Sequence, residues 1–148
     1  MVWVELGKTI LLILVIAPAA AVIGFITHET LHWLVGYIYN AGPQFTDYHW
    51  FLPAAVDFDT PETLPDRQIQ GIGGVILVFP ASLVLFSLYN LPTGISESLW
   101  RTGFLFFLIG GSGVSEKDII AIRYPNAWRE LANGEKVDLT DLGYDPES

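Results

Sequence analysis

Thr27-His28-Glu29-Thr30-Leu31-His32-Trp33-Leu34 lies within a long apolar run and carries an H-E-x-x-H signature. On a helix, His28 and His32 stand four positions apart and share a face, where two imidazoles can hold one zinc ion. Glu29 lies beside them. In zinc hydrolases of this pattern the metal makes a water molecule acidic and the glutamate takes its proton. Such chemistry needs a dry, shaped site. The motif is flanked by Phe25, Ile26, Trp33, Leu34 and Val35, not by the charged residues of a soluble surface helix.

Outward from the motif, the apolar character predicts a first helix that starts near Val4 to Lys8 and runs through Ile10 to Ile38. Pro18 is the expected kink, and Asn40-Ala41-Gly42-Pro43 the expected stop. At about 1.5 Å per residue such a helix exceeds the thickness of a bilayer core, so its surplus end puts His28 and His32 toward one membrane face, within reach of water. A secretory signal is the rival interpretation, with Lys8 before the apolar stretch and Ala19-Ala20-Ala21 as a cleavage zone. The run continues to Tyr39, however, with His28, Glu29 and His32 as its only ionisable groups, and cleavage would cut into the motif. A retained helix is therefore expected.

Composition points the same way. Of the 148 residues, 51% are hydrophobic and only 16% charged, which is unlike a typical soluble domain. No Asp, Glu, Lys or Arg lies between Lys8 and His28, between Arg67 and Glu97, or between Arg101 and Glu116, leaving gaps of 19, 29 and 14 residues. About 20 apolar residues cross a bilayer as a helix, so the first two gaps qualify and the third only with its flanks. The net charge of −9 argues against nucleic acid as a partner. It suits either an organism with a salty interior or an ordinary protein with an acidic tail. There is no cysteine, so metal ligands must come from His, Asp and Glu.

Between the first two apolar segments, Gln44 to Gln68 is polar and proline-rich. Phe45 to Leu52 is rich in strand formers, and Val56-Asp57-Phe58-Asp59 alternates with period two. A short β-hairpin or interfacial loop is expected there. It would serve as an edge strand for an extended substrate segment or, more simply, as an aromatic loop at the headgroups. A second helix is expected from Ile69 to Asn90, with Gly71, Gly73 and Gly74 allowing close contact and Pro80 bending it. Leu91-Pro92-Thr93-Gly94 turns the chain into a third helix, from about Ser96 through Gly110, with apolar character resuming from Ser115 to Ile122. Residues 126–148 read as a short amphipathic piece, Ala127 to Ala132, followed by an acidic tail.

A catalytic zinc takes three protein ligands and leaves a position open, so His28 and His32 need a third partner. Helix one ends on the motif's side, helix two returns, and helix three comes back, which brings its C-terminal end, with Glu116 and Asp118, to the side of the histidines. Asp118 is favoured. Read as part of one continuous helix, it has Val114, Ala121 and Ile122 as neighbours and Gly111 two turns back, an inward-looking setting. Glu116 is about 200° away on the helical wheel and adjoins Lys117. His49, before Trp50, is the other candidate, its simpler role being that of an interfacial histidine.

An H-E-x-x-H sequence inside a membrane helix, with Gly36 after it and an aspartate at the end of the third core helix, resembles the site-2-protease-like intramembrane zinc metalloproteases, and most closely their small zincin-type relatives. The likeness covers about residues 9 to 122. It implies a three-helix membrane core that cleaves membrane-embedded substrates, zinc ligation by His28, His32 and Asp118, and Glu29 as general base. Two features depart from the family. Ile119 follows Asp118 where the family has glycine, and no separate peptide-binding domain is present. The longer metzincin pattern is also absent, since Val35 and Ile38 stand where glycine and histidine would be required.

The expected protein is thus an α-helical membrane protein with a three-helix transmembrane core and a loop or β-hairpin between helices one and two. Residues 1–125 form a metalloprotease-like domain and 126–148 an acidic tail. The expected cofactor is Zn2+, and the expected partners are the lipid bilayer and a membrane protein or peptide substrate. Five Lys and Arg on the motif's side (Arg67, Lys117, Arg123, Arg129, Lys136) against two on the other (Lys8, Arg101) favour a cell-membrane protein with the motif toward the cytoplasm. Competing functions are a membrane module with a structural or regulatory metal, and a zinc hydrolase of a non-peptide bond.

Overall fold

A computed structural model describes residues 2–49, 52–90 and 99–134, and these are mostly helical with one two-stranded sheet. In chain order the elements are α1 (Val2–Leu11), a π-helical turn (Leu12–Ile16), α2 (Ala17–Ile38), β1 (Pro43–His49), β2 (Leu52–Phe58), α3 (Asp66–Gly73), α4 (Val78–Asn90), α5 (Leu99–Gly111), α6 (Glu116–Arg123) and α7 (Pro125–Ala132). Short 3-10 segments lie at Pro61–Thr63 and Gly74–Leu77. Among the described residues, two helices are long and apolar enough to cross a membrane, Gly7–Ile38 and Asp66–Leu88. The expected turn at Leu91 to Gly94, the start of the third helix at Ser96 and the acidic tail beyond Gly134 lie outside the described residues.

The two prolines expected to bend the long helices each follow a local change of winding. Proline has no N–H to donate and crowds the preceding turn. Ahead of Pro18 the chain widens: the Ala17 N–H reaches back to the Leu12 carbonyl, five residues away. Ahead of Pro80 it tightens into the 3-10 segment Gly74–Leu77. Neither proline ends the apolar run.

The chain divides into two compact units. The first comprises residues 1–28 and 76–113. In it α4 packs on α5, and Phe79, Phe86 and Leu108 are buried. Phe86, Phe104, Phe107 and Phe79 form a chain of aromatic contacts with ring centroids 5.1–5.7 Å apart. Small residues set the spacing of α2 and α5, since a methyl group on Gly24 would collide with the Phe107 carbonyl and one on Gly110 with the Ala21 backbone. The outward surface stays apolar, with Leu14, Leu85 and Leu88 exposed by 69%, 58% and 72%.

The second unit comprises residues 29–75 and 114–148. Its core joins Ala41, Leu64, Ile69, Ile72, Ile120, Ala121, Ala127 and Trp128. Helix α2 stops as its sequence predicts: Asn40 takes φ +55°, its N–H bonds to the Tyr37 carbonyl, and Ala41 N–H bonds to the Gly36 carbonyl, the Schellman pattern. The expected hairpin follows. β1 and β2 pair antiparallel from Pro43 opposite Phe58 to His49 opposite Leu52. Glycine at 36 gives the Phe58 ring its place against α2. The piece read as a short amphipathic helix is α7, and it belongs to this core: Trp128 lies against Phe58 with centroids 5.5 Å apart, and Arg129 donates to the Leu64 carbonyl at 2.7 Å and to Asp66.

The third apolar helix differs from the continuous one expected. It ends at Gly111, residues 112–115 are not helical, and α6 begins afresh at Glu116. Gly110-Gly111-Ser112-Gly113 has low helix propensity, and Ser115 caps a new start. Gly111 and Val114 therefore do not share a helix with Asp118, while Ala121 and Ile122 do.

Candidate metal centre

Glu29 and His32 are three positions apart on α2 and so lie on neighbouring faces of one turn. In the second unit both line a cavity of about 270 Å³, together with Asp118 from α6 and residues 54–58 of β2. His32 is buried, and its Nε2 stands 3.5 Å from Asp118 Oδ1. Two ligands about 2.0–2.1 Å from a tetrahedral zinc are roughly 3.3 Å apart. The pair is thus spaced as two ligands of one ion.

Asp118 is held there by its own helix. It is the third residue of α6, with Ser115 as N-cap, and the two close a capping box. The Ser115 hydroxyl accepts from the Asp118 N–H at 3.2 Å and donates to Asp118 Oδ2 at 2.7 Å, and the Ser115 N–H also donates to Oδ2, at 3.2 Å. One carboxylate oxygen is therefore occupied, and the other, Oδ1, faces His32. Gly73 of α3 lets α6 come close enough: a Cβ there would meet the Asp118 carbonyl oxygen at 2.7 Å and the Ala121 Cβ at 2.8 Å.

His28, the last residue of the first unit, precedes His32 by one turn of the same unbroken helix. Its Nδ1 lies 2.6 Å from the Gly111 carbonyl oxygen, and its ring stacks on Phe79 with centroids 5.8 Å apart. A carbonyl oxygen only accepts, so the neutral imidazole carries its proton on Nδ1 and keeps the lone pair on Nε2. Metal-ligating histidines are oriented in this way by an outer partner. Gly111 can serve because it is the last residue of α5, where carbonyls have no partner further along the helix.

Among the sequence candidates, then, Glu29, His32 and Asp118 meet in one cavity, and His28 stands a turn away on α2. Glu116 is exposed on α6. His49 is the last residue of β1, paired with Leu52, and its side chain lies outside the described set. Lys117 contacts Asp57 of β2 at 3.8 Å, but both side chains are more than half exposed and such a pair contributes little.

Three contributors escaped the sequence reading. Ser115 was legible as the S-x-x-D form of a helix-start signature. The Gly111 carbonyl and the Trp128 and Leu131 lining of the cavity depend on tertiary contacts that no local pattern encodes, and Gly73, expected to allow close helix contact, meets α6 at Asp118 and Ala121. No protein-family model matches the chain, and neither a curated protein nor a solved structure matches it.

Proposed function

We propose that the chain is an integral membrane zinc endopeptidase that hydrolyses a peptide bond of a membrane protein substrate, with His28, His32 and Asp118 as metal ligands and Glu29 as general base. The observation that carries this proposal is the placement of Asp118, whose Oδ1 faces His32 Nε2 at 3.5 Å while Ser115 occupies its other oxygen. The donor set, two imidazoles and a carboxylate, suits zinc and leaves one position of a tetrahedron open. His28 directs its lone-pair nitrogen away from the Gly111 carbonyl. When bound, zinc lowers the pKa of a coordinated water and polarises a carbonyl oxygen. Glu29 lines the same cavity as His32 and Asp118, which supports its role as the base that would accept a proton from the attacking water and return it to the departing amine.

Membrane residence is supported by what the apolar helices leave uncovered. Only 18% of the most apolar window of Gly7–Ile38 and 33% of that of Asp66–Leu88 is buried inside the protein, whereas the core helix of a soluble domain would be mostly covered. The excess of Lys and Arg on the motif's side favours a cytoplasmic orientation.

The test is zinc content and peptidase activity of the detergent-purified protein beside His28→Ala, Asp118→Ala, Glu116→Ala and Glu29→Gln. About one zinc is expected in wild type, lost in the first two variants and kept in the last two, with turnover abolished in Glu29→Gln. A Glu29→Gln protein that turns over like wild type, or a wild type without zinc in metal-replete medium, ends the proposal.

A further inference from the structure

The cavity lined by Glu29, His32 and Asp118 is larger than those groups need and is lined by apolar side chains as well. Its apolar lining comes from three elements: Ala54, Val56 and Phe58 of β2, Ile72 of α3, and Trp128 and Leu131 of α7. β2 contributes five consecutive residues, Ala54 to Phe58, of which Ala54 and Ala55 are small and Asp57 is the charged one. The wall is preformed, since Ile72 and Trp128 are buried at 2% and 6% exposure and Phe58 packs on Trp128. A volume of about 270 Å³ is close to the lower bound for ligand pockets, roughly 300 Å³, which suits one large side chain better than an extended ligand.

We infer that this cavity is a specificity pocket that takes a single large apolar side chain, of the leucine or phenylalanine kind, next to a peptide bond held beside Glu29, His32 and Asp118. The inference rests on the peptidase proposal and deepens it by naming the substrate class. A side chain next to a peptide bond held beside Glu29, His32 and Asp118 would meet the apolar lining of the same cavity, which includes Ile72, Trp128 and Leu131. Asp47, Asp57 and Lys117, all exposed, also line the cavity, and the Lys117 ammonium lies 3.8 Å from Asp57, so the carboxylates outnumber the one lysine and an acidic side chain is disfavoured there. Ala132, the exposed last residue of α7, lines it as well and offers a position from which the space can be filled.

The experiment measures binding and cleavage separately, on synthetic peptides that differ at one residue, which is glycine, alanine, aspartate, leucine or phenylalanine. Binding is titrated on zinc-loaded, full-length Glu29→Gln protein in detergent, and cleavage is followed with the otherwise unsubstituted chain. One methylene in a hydrophobic pocket discriminates about 10–200-fold, so leucine and phenylalanine peptides should bind at least about tenfold more tightly than the glycine peptide. Adding Ala132→Leu, or separately Ala54→Leu, should erase that preference while zinc content stays at the wild-type level. Equal binding of the glycine and leucine peptides, or a preference that survives both filling substitutions in folded, zinc-loaded protein, overturns the pocket. Selective binding without cleavage by the unsubstituted chain overturns the peptidase proposal and leaves the pocket standing.

Discussion

Removing the Ser115 hydroxyl isolates the part of the site that the sequence motif does not contain. In Ser115→Ala, Asp118 Oδ2 loses its 2.7 Å hydrogen bond and the Asp118 N–H loses its 3.2 Å acceptor, while the donation from the backbone N–H of residue 115 at 3.2 Å remains. Loss of a serine N-cap costs typically about 1 kcal/mol of stability. The effect on metal binding is separate. Outer partners of ligating residues are worth about 10–100-fold in affinity, and because one of the two Oδ2 donors survives, about tenfold is expected, or about 1.4 kcal/mol. Competition against a chromophoric chelator reads the affinity, and a thermal melt of zinc-free protein reads the cap. Ser115→Thr, which keeps the hydroxyl, should restore both. If Ser115→Ala melts lower yet binds zinc as tightly as wild type, the serine only caps α6, and its role in orienting Asp118 is refuted.

Two further substitutions test the close approaches. Gly73→Ala puts a methyl group 2.7 Å from the Asp118 carbonyl oxygen and 2.8 Å from Ala121 Cβ, so it should cost about 1–3 kcal/mol and weaken zinc binding together; a stability loss with unchanged affinity would show that α6 yields without moving Asp118. Gly110→Ala drives a methyl group into the Ala21 backbone and should destabilise the first unit strongly, whereas Gly113→Ala meets nothing within 4 Å and should stay within about 0.5 kcal/mol of wild type in the same detergent melts.

Half of the site was legible because it is local. Two histidines and a glutamate within one helical turn, set in an apolar segment, need only helix geometry to be read, and the Asn40 stop and the hairpin follow from turn chemistry and alternation. Asp118 was reached by topology, from which membrane side each apolar run ends on, but its expected surroundings on a continuous helix were not those observed. Gly111 and Val114 do not flank it on α6; Ser115 and the Gly73 approach hold it instead. The role of α7 was less accessible still, because a short segment with one tryptophan looks the same whether it lies on a headgroup layer or, as here, buries Trp128 beside Ile72 and Phe58.

The break in the third apolar helix has a physical use that a continuous helix would lack. An aspartate in a helix interior has no cap to orient it, and its carboxylate sits among backbone groups already paired with one another. In the first turn of α6 the same residue gains the serine's two donors, so its carboxylate is held in one orientation. Ending α5 at Gly111 has the complementary effect, since it releases a carbonyl that accepts the His28 Nδ1 proton. A single interruption at residues 112–115 thus gives one ligand candidate its hydrogen-bond acceptor and another its donors. Restoring helix across it with alanine at Gly113 and Ser115 together would remove the Ser115 hydroxyl and extend α5 past Gly111, and zinc affinity should fall further than in Ser115→Ala alone.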